Sequence, residues 1–149
     1  MECGLFVTVV DDRTERVAQF PSSARFVGDV QPSDFIAKRT WHRDEGLVIV
    51  SRNHEIDRDA LAAALRAGGM GSIGMIGSNK KVQHVFDQLR NRGFGENELS
   101  GVYAPMGLDL NADAPADIAI SVMAEVLVVL RKRSGGHLRA GSQPPRRVG

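Results

Sequence analysis

Apolar residues fall in short clusters separated by polar loops, and the period within each cluster assigns its structure. Leu5 to Val10, L-F-V-T-V-V, is an apolar, β-branched run that ends abruptly in Asp11-Asp12-Arg13. Such a run suits a strand covered on both faces in a parallel sheet. Thr14 to Pro21 reads as a short connection rather than a crossover helix, and Arg25 to Val30 as a short edge strand. Gly46 to Val50, G-L-V-I-V, is the clearest strand and runs straight into the polar loop Ser51-Arg52-Asn53-His54-Glu55-Ile56-Asp57. Ile73, Met75 and Ile76 form another short strand, and Gly101 to Ala104 a last one.

Helical spacing fills the intervals. Pro32 to Arg39 makes a short helix, and Trp41 after it is expected to cover an edge of the core. Ala60, Leu61, Ala64 and Leu65 give one face of a helix ending near Ala67, with Asp57 as its expected cap and Asn53 expected at positive φ. Val82, Val85, Phe86 and Leu89 repeat at helical spacing behind Ser78, and Asn91-Arg92-Gly93-Phe94-Gly95 stops that helix. Asn97-Glu98-Leu99 is a short turn. From Pro115 to about Arg133 the chain is apolar nearly all round, so this helix is expected to be largely buried. Glu125 in its middle then needs a partner, and an internal hydrogen bond to a nearby loop is expected over a catalytic role. From Ser134 onward Gly, Pro, Ser and Arg dominate without periodicity, which predicts a disordered tail over 134–149 behind one domain over 1–133. The alternation of strands and helices predicts an α/β fold, a Rossmann-like parallel sheet with flanking helices.

Composition narrows the function. With 149 residues and 42% hydrophobic content the chain fits one domain and not two. Six of the Lys and Arg residues lie in 131–149, leaving thirteen basic against eighteen acidic groups before it. That balance argues against a nucleic-acid-binding body. No stretch has the length and apolarity of a membrane span, and no basic-then-apolar leader opens the chain, so a cytoplasmic protein is expected. Cys3 is the single cysteine, which excludes an internal disulfide and a cysteine-rich metal site.

The candidate chemistry centres on Met70 to Lys81, M-G-S-I-G-M-I-G-S-N-K-K. A strand, a tight glycine turn and a helix N-terminus follow one another there, and free N–H groups with the helix dipole favour an anion. Gly74, Gly77, Ser78, Lys80 and Lys81 are therefore candidate phosphate-binding residues. Alternatively the glycines allow close helix–sheet packing and the lysines are merely solvated. The stretch matches neither G-x-G-x-x-G nor G-x-x-x-x-G-K-[ST]. Asp11, at the end of its strand, is either a ribose acceptor or a turn-forming carboxylate. Arg52, His54 and Glu55 occupy a loop at a strand's C-terminal end, where open parallel sheets bind ligands. His54 suits a ligand contact or a loop-bracing hydrogen bond; with no second His at ligand spacing, zinc is not expected.

Three stretches together resemble a known family: S-R-N-H-E-I-D after the central strand, S-I-G-M-I-G-S-N-K-K, and A-P-M-G-L-D-L-N-A-D-A-P-A-D-I-A-I-S-V-M-A-E. They resemble the Rossmann-like module of the XdhC/CoxI accessory proteins, which serve molybdenum hydroxylases such as xanthine dehydrogenase and carbon monoxide dehydrogenase. The resemblance runs from about Leu5 to Arg131. It implies an accessory protein rather than a turnover enzyme. Such a protein binds the molybdenum cofactor, as molybdopterin or its dinucleotide form, and protects it while a cysteine desulfurase installs a terminal sulfur. It then delivers the cofactor to the molybdenum hydroxylase apoenzyme. By this analogy Gly77-Ser78 takes the cofactor phosphate, Asp11 a ribose, and His54, Glu55, Gly107 and Asp109 line the same crevice.

Departures from the family pattern qualify these expectations. Asn53 stands where glycine is common and Asn79 where arginine is common, removing a guanidinium from the anion site. Ala114 replaces the usual hydroxyl cap before Pro115. The family's separate N-terminal module, the first Rossmann strand and its glycine-rich loop have no counterpart, and Cys3 is not expected to carry sulfur from so frayed a position. Loss of the first strand predicts either that Phe6–Val10 and Leu47–Val50 close up and pair, or that a separate upstream half or a second copy fills the gap. Two other functions stay open: a nicotinamide- or flavin-dependent oxidoreductase, disfavoured by the missing pyrophosphate loop, and a non-functional split-gene fragment.

Overall fold

Four of the short apolar runs form parallel strands, and the helix-period stretches pack beside them. The computed structural model describes residues 4–138. Strand β1 (Thr8–Val10) is followed by a 3₁₀ helix (Thr14–Gln19), strand β2 (Arg25–Val27) and helix α1 (Pro32–Ala37). Then come β3 (Gly46–Ile49), α2 (His54–Ala67), β4 (Ser72–Met75), α3 (Asn79–Asn91), α4 (Glu96–Leu99) and α5 (Pro115–Leu130). The α/β class and parallel pairing expected from the sequence are present. Boundaries shrink, however: the run from Leu5 keeps only three residues as strand, and Gly101 to Ala104 is reduced to an isolated bridge between Tyr103 and Gly74. Cys3 and residues 139–149 lie outside the described residues, and residues 134–138 carry no helix or strand.

The strands form two separate parallel pairs. Thr8, Val9 and Val10 of β1 face Arg25, Phe26 and Val27 of β2, and Gly46 to Ile49 of β3 face Ser72 to Met75 of β4. β1 and β3 are not hydrogen-bonded to each other. Of the two outcomes expected for a missing central strand, closure by direct pairing is thus ruled out. Phe6 and Val50, expected within these strands, fall just outside them and are 105% and 69% exposed. The reason is lateral: a strand loses cover along any edge that has no neighbour.

The main core lies between β3–β4 and the helices α1, α2 and α3. It includes Ile36, Ile49, Leu61, Met75, Val85 and Leu89, all almost fully buried. Trp41 packs at its edge as expected, its Nε1–H donating to the Ile36 carbonyl at 3.0 Å. A smaller cluster on the opposite face joins Met106, Val122 and Val126 to Leu5, Val48 and Ile76. α5 therefore covers β3 and β4 from one side, but only Ser121, Val122 and Val126 of it are buried and Ile120 is 62% exposed. The expectation of a largely buried helix fails because the strands beneath offer room for one face only.

Two glycines fix how the last loop closes over the sheet. A Cβ on Gly74 would collide with the side chain of Met106, so the missing side chain is what lets that methionine lie on β4. Gly107 has φ +132°, and its N–H donates to Glu125 Oε2 at 2.7 Å. That bond is the internal partner expected for Glu125. Gly74→Ala should destabilise the fold by about 1–3 kcal/mol through overpacking. Urea unfolding checks this, and in a Met106→Ala background the same change should cost less, since the obstructing side chain is gone.

Candidate functional site

Parallel strands bring their C-terminal ends to one edge, and the polar residues that end each apolar run collect there. At the end of β1, Asp11 is locked by Arg13, whose Nε and Nη2 donate at 2.8 Å each and whose backbone N–H donates at 3.0 Å. The adjoining guanidinium lowers the Asp11 carboxyl to about 2. Asp12 is likewise held below the usual carboxylate range, chiefly by Arg52, whose Nη1 and Nη2 reach its two oxygens at 2.6 Å each. Arg52 follows β3, so this bidentate pair ties the ends of β1 and β3 together. Both aspartates stay ionised through the neutral range.

The loop after β3 is organised from inside α2. Asn53 is the N-cap, accepting from the Ile56 N–H at 2.9 Å with φ −148°, so the expected positive φ is not used. α2 accordingly begins at His54, and Asp57 is a buried residue within the helix rather than its cap. With no solvent exposure, the Asp57 carboxylate accepts from the Ser51 N–H at 3.2 Å and lies 2.5 Å from Ser51 Oγ. Its other oxygen pairs with Lys81 Nζ. Lys81 is thus the internal counter-ion of Asp57, which accounts for a lysine in the first turn of α3 without any ligand.

Ser78 caps α3 as expected, accepting from the Lys81 N–H at 3.2 Å. The N–H groups of Asn79 and Lys80 have no intrahelical partner by position, and Lys80 and Asn79 are exposed. Gly77 leaves space for Lys81, whose Cδ would lie 2.8 Å from a Cβ there. Gly74, expected at the phosphate edge, is instead buried beneath Met106. The packing alternative holds for that glycine.

His54 and Glu55 are exposed on the first turn of α2. The His54 ring meets His84 of α3 edge to face at 5.0 Å, a contact their thirty-residue separation hides. Asp109 is exposed in the loop before α5. Among the described residues no group of three metal-ligating side chains is close enough to hold an ion, and no helix is long and apolar enough to cross a membrane.

A cavity of about 290 Å³ opens between β1 and β3, floored by α1 and α2. Of the expected site residues Asp11 and Arg52 line it, whereas His54, Glu55, Ser78, Lys80, Gly107 and Asp109 do not. The edge is therefore two neighbouring features: an apolar cleft with a charged mouth, and the exposed start of α3. Ser51 and Asp57 join them, a role that the sequence reading, which took Asp57 as a helix cap, missed. An acid four residues after an Asn cap, with a lysine three residues after a Ser cap, was the available signal.

Comparison with known proteins agrees with this architecture. The family model of the XdhC Rossmann domain matches residues 1–126. The chain is 34% identical over 102 residues to the Escherichia coli K12 uncharacterized protein YqeB, covering 68% of this chain and 18% of that one. It is 24% identical over 134 residues to a Bacillus subtilis 168 protein described as a probable xanthine dehydrogenase subunit, covering 89% and 38%. A crystal structure of a Bacillus halodurans xanthine dehydrogenase superposes with TM-score 0.72 at 26% identity, over 89% of this chain and 38% of that one. The chain thus spans less than two fifths of the length of each of these relatives, and over the region it shares with them it belongs to the XdhC Rossmann-domain family.

Proposed function

We propose that this domain serves a molybdenum hydroxylase of the xanthine dehydrogenase type as an accessory protein, holding the molybdenum cofactor as cargo at the C-terminal edge of its strands. The observation that carries this reading is the start of α3 in an XdhC-type domain: a Ser-capped helix terminus with free N–H groups beside an exposed Lys80 that has no ion-pair partner among the described residues. Such a terminus suits the phosphate that the cofactor carries in all its forms. A dinucleotide form would add a ribose, for which Asp11 keeps acceptor capacity on Oδ2 beyond its Arg13 bonds. Arg52 at the cleft mouth and His54 on the adjoining turn complete a polar rim for the pterin.

In this reading the domain performs no redox chemistry of its own. Cargo bound at the edge is shielded while a cysteine desulfurase supplies the terminal sulfur, and is then passed to the hydroxylase apoenzyme. Lys80 and Ser78 hold the phosphate; Lys81 keeps α3 in place through Asp57.

The chain produced together with cofactor synthesis should purify with pterin and molybdenum. Oxidation to the fluorescent pterin and elemental analysis measure this, and stoichiometric NAD without pterin would overturn it. The two lysines should separate cleanly. Lys80→Ala should weaken cofactor binding about tenfold and flatten its salt dependence while leaving stability unchanged. Lys81→Met should instead cost about 3–5 kcal/mol in urea unfolding by stranding a buried carboxylate. Two variants that lose neither affinity nor stability would place both lysines on a solvated face.

A further inference from the structure

Helices α2 and α3 bring the imidazoles of His54 and His84 together on an exposed surface. The two ring centres are 5.0 Å apart and their planes cross at 76°. With metal–nitrogen bonds of about 2.0–2.1 Å, two imidazoles on one ion at angles between square and tetrahedral have ring centres about 4.5–5.3 Å apart. The observed spacing lies inside that range, so one ion can join the rings without moving either helix.

The backbone beneath the pair is held from inside. Asp57, three residues after His54, pairs with Lys81, three residues before His84. The two histidines therefore stand on turns already tied to each other, and little order is left to impose when they chelate. Gln88 supplies an outer partner. Its Nε2 lies 3.1 Å from His84 Nε2, and its Oε1 accepts from Arg58 Nη1 at 3.4 Å. Arg58 can only donate, so the amide N–H of Gln88 faces the ring, and a neutral His84 accepts on Nε2 and carries its proton on Nδ1. An ion on Nδ1 reverses these roles: the ring then donates its Nε2–H, and a turn of the amide lets Gln88 Oε1 accept it, as outer partners of metal-bound histidines do. Only the long Arg58 contact is given up, since Arg58 keeps its bonds to Asp59 at 2.9 and 3.1 Å. Glu55, exposed on the same turn as His54, sets a negative charge near an ion that would otherwise meet two positive helix ends.

We propose that His54 and His84 form an open two-imidazole site for a divalent transition ion of the copper, nickel or zinc kind, clamping the first turns of α2 and α3 from outside as Asp57 and Lys81 do from inside. Imidazole nitrogen suits these ions, whereas magnesium and calcium take oxygen donors, and copper binds such nitrogens most tightly. No third metal-ligating side chain among the described residues joins the pair. Two protein ligands leave the other coordination positions to water, so the ion is exchangeable. The site stands whether or not the cargo proposed above is held.

Copper titration of the untagged full chain, in a Cys3→Ser background that removes a competing thiol, tests this. One equivalent of Cu²⁺ should bind, with an electron paramagnetic resonance spectrum that shows coupling to two imidazole nitrogens. Zn²⁺ should raise the thermal unfolding midpoint and Mg²⁺ should not. His54→Ala and His84→Ala should each weaken Cu²⁺ binding at least about tenfold and reduce the coupling to one nitrogen, because the second bond of a chelate forms at high effective concentration. Gln88→Leu should weaken binding about tenfold with both nitrogens retained. His42→Ala and His137→Ala should leave affinity and spectrum unchanged. Three results would overturn the proposal and leave the pair a ring contact only: affinity that survives loss of either His54 or His84, a two-nitrogen spectrum that disappears with His42→Ala or His137→Ala instead, or stabilisation by Mg²⁺ equal to that by Zn²⁺.

Discussion

A carboxylate with no solvent exposure sits at the junction of two βα units, and the geometry of the strand-end edge depends on its being neutralised. Asp57 reaches back to the Ser51 N–H at the end of β3 and across to Lys81 at the start of α3. An unpaired charge there would cost several kcal/mol, so the loop after β3, the first turn of α2 and the first turn of α3 hold one relative position. The exposed N–H groups of α3 are aimed by that constraint. A lysine that looks like a ligand contact from its position in the chain acts as scaffold.

A second pairing works across a wider gap. Arg52 and Asp12 join β1 to β3 where no backbone hydrogen bond does. The pair is partly exposed and adds little by itself to stability. It does fix the direction and the spacing of the two strand ends, and it leaves the apolar walls behind it open. Phe6 and Val50 stay in solvent for the same reason.

Packing on the opposite face follows from the narrowness of the strands. α5 is apolar on nearly every side, yet three residues of it are buried, because two short strand pairs cannot cover more than one stripe. Gly74 lets Met106 press onto β4, and Glu125 takes the Gly107 N–H, so the loop carrying Gly107 and Asp109 is held from below by α5 rather than by a ligand.

Local pattern determined much of this. Strands at Thr8–Val10, Gly46–Ile49 and Ser72–Met75 follow from β-branched and apolar runs, and the Ser78 cap and Val82-Val85-Leu89 stripe fix α3, because each depends on neighbours within a turn or two. The family, too, was legible in three motifs. What needed the tertiary structure were relations between residues far apart in the chain. Asp57 reads as a cap until Lys81 is seen beside it, Gly74 reads as part of an anion loop until Met106 lies on it, and His54 lacks a partner until α3 brings His84. Burial of an apolar run is likewise not a local property: whether Phe6 or Ile120 is covered depends on which strand stands next to it, and a sequence period carries no information about an edge.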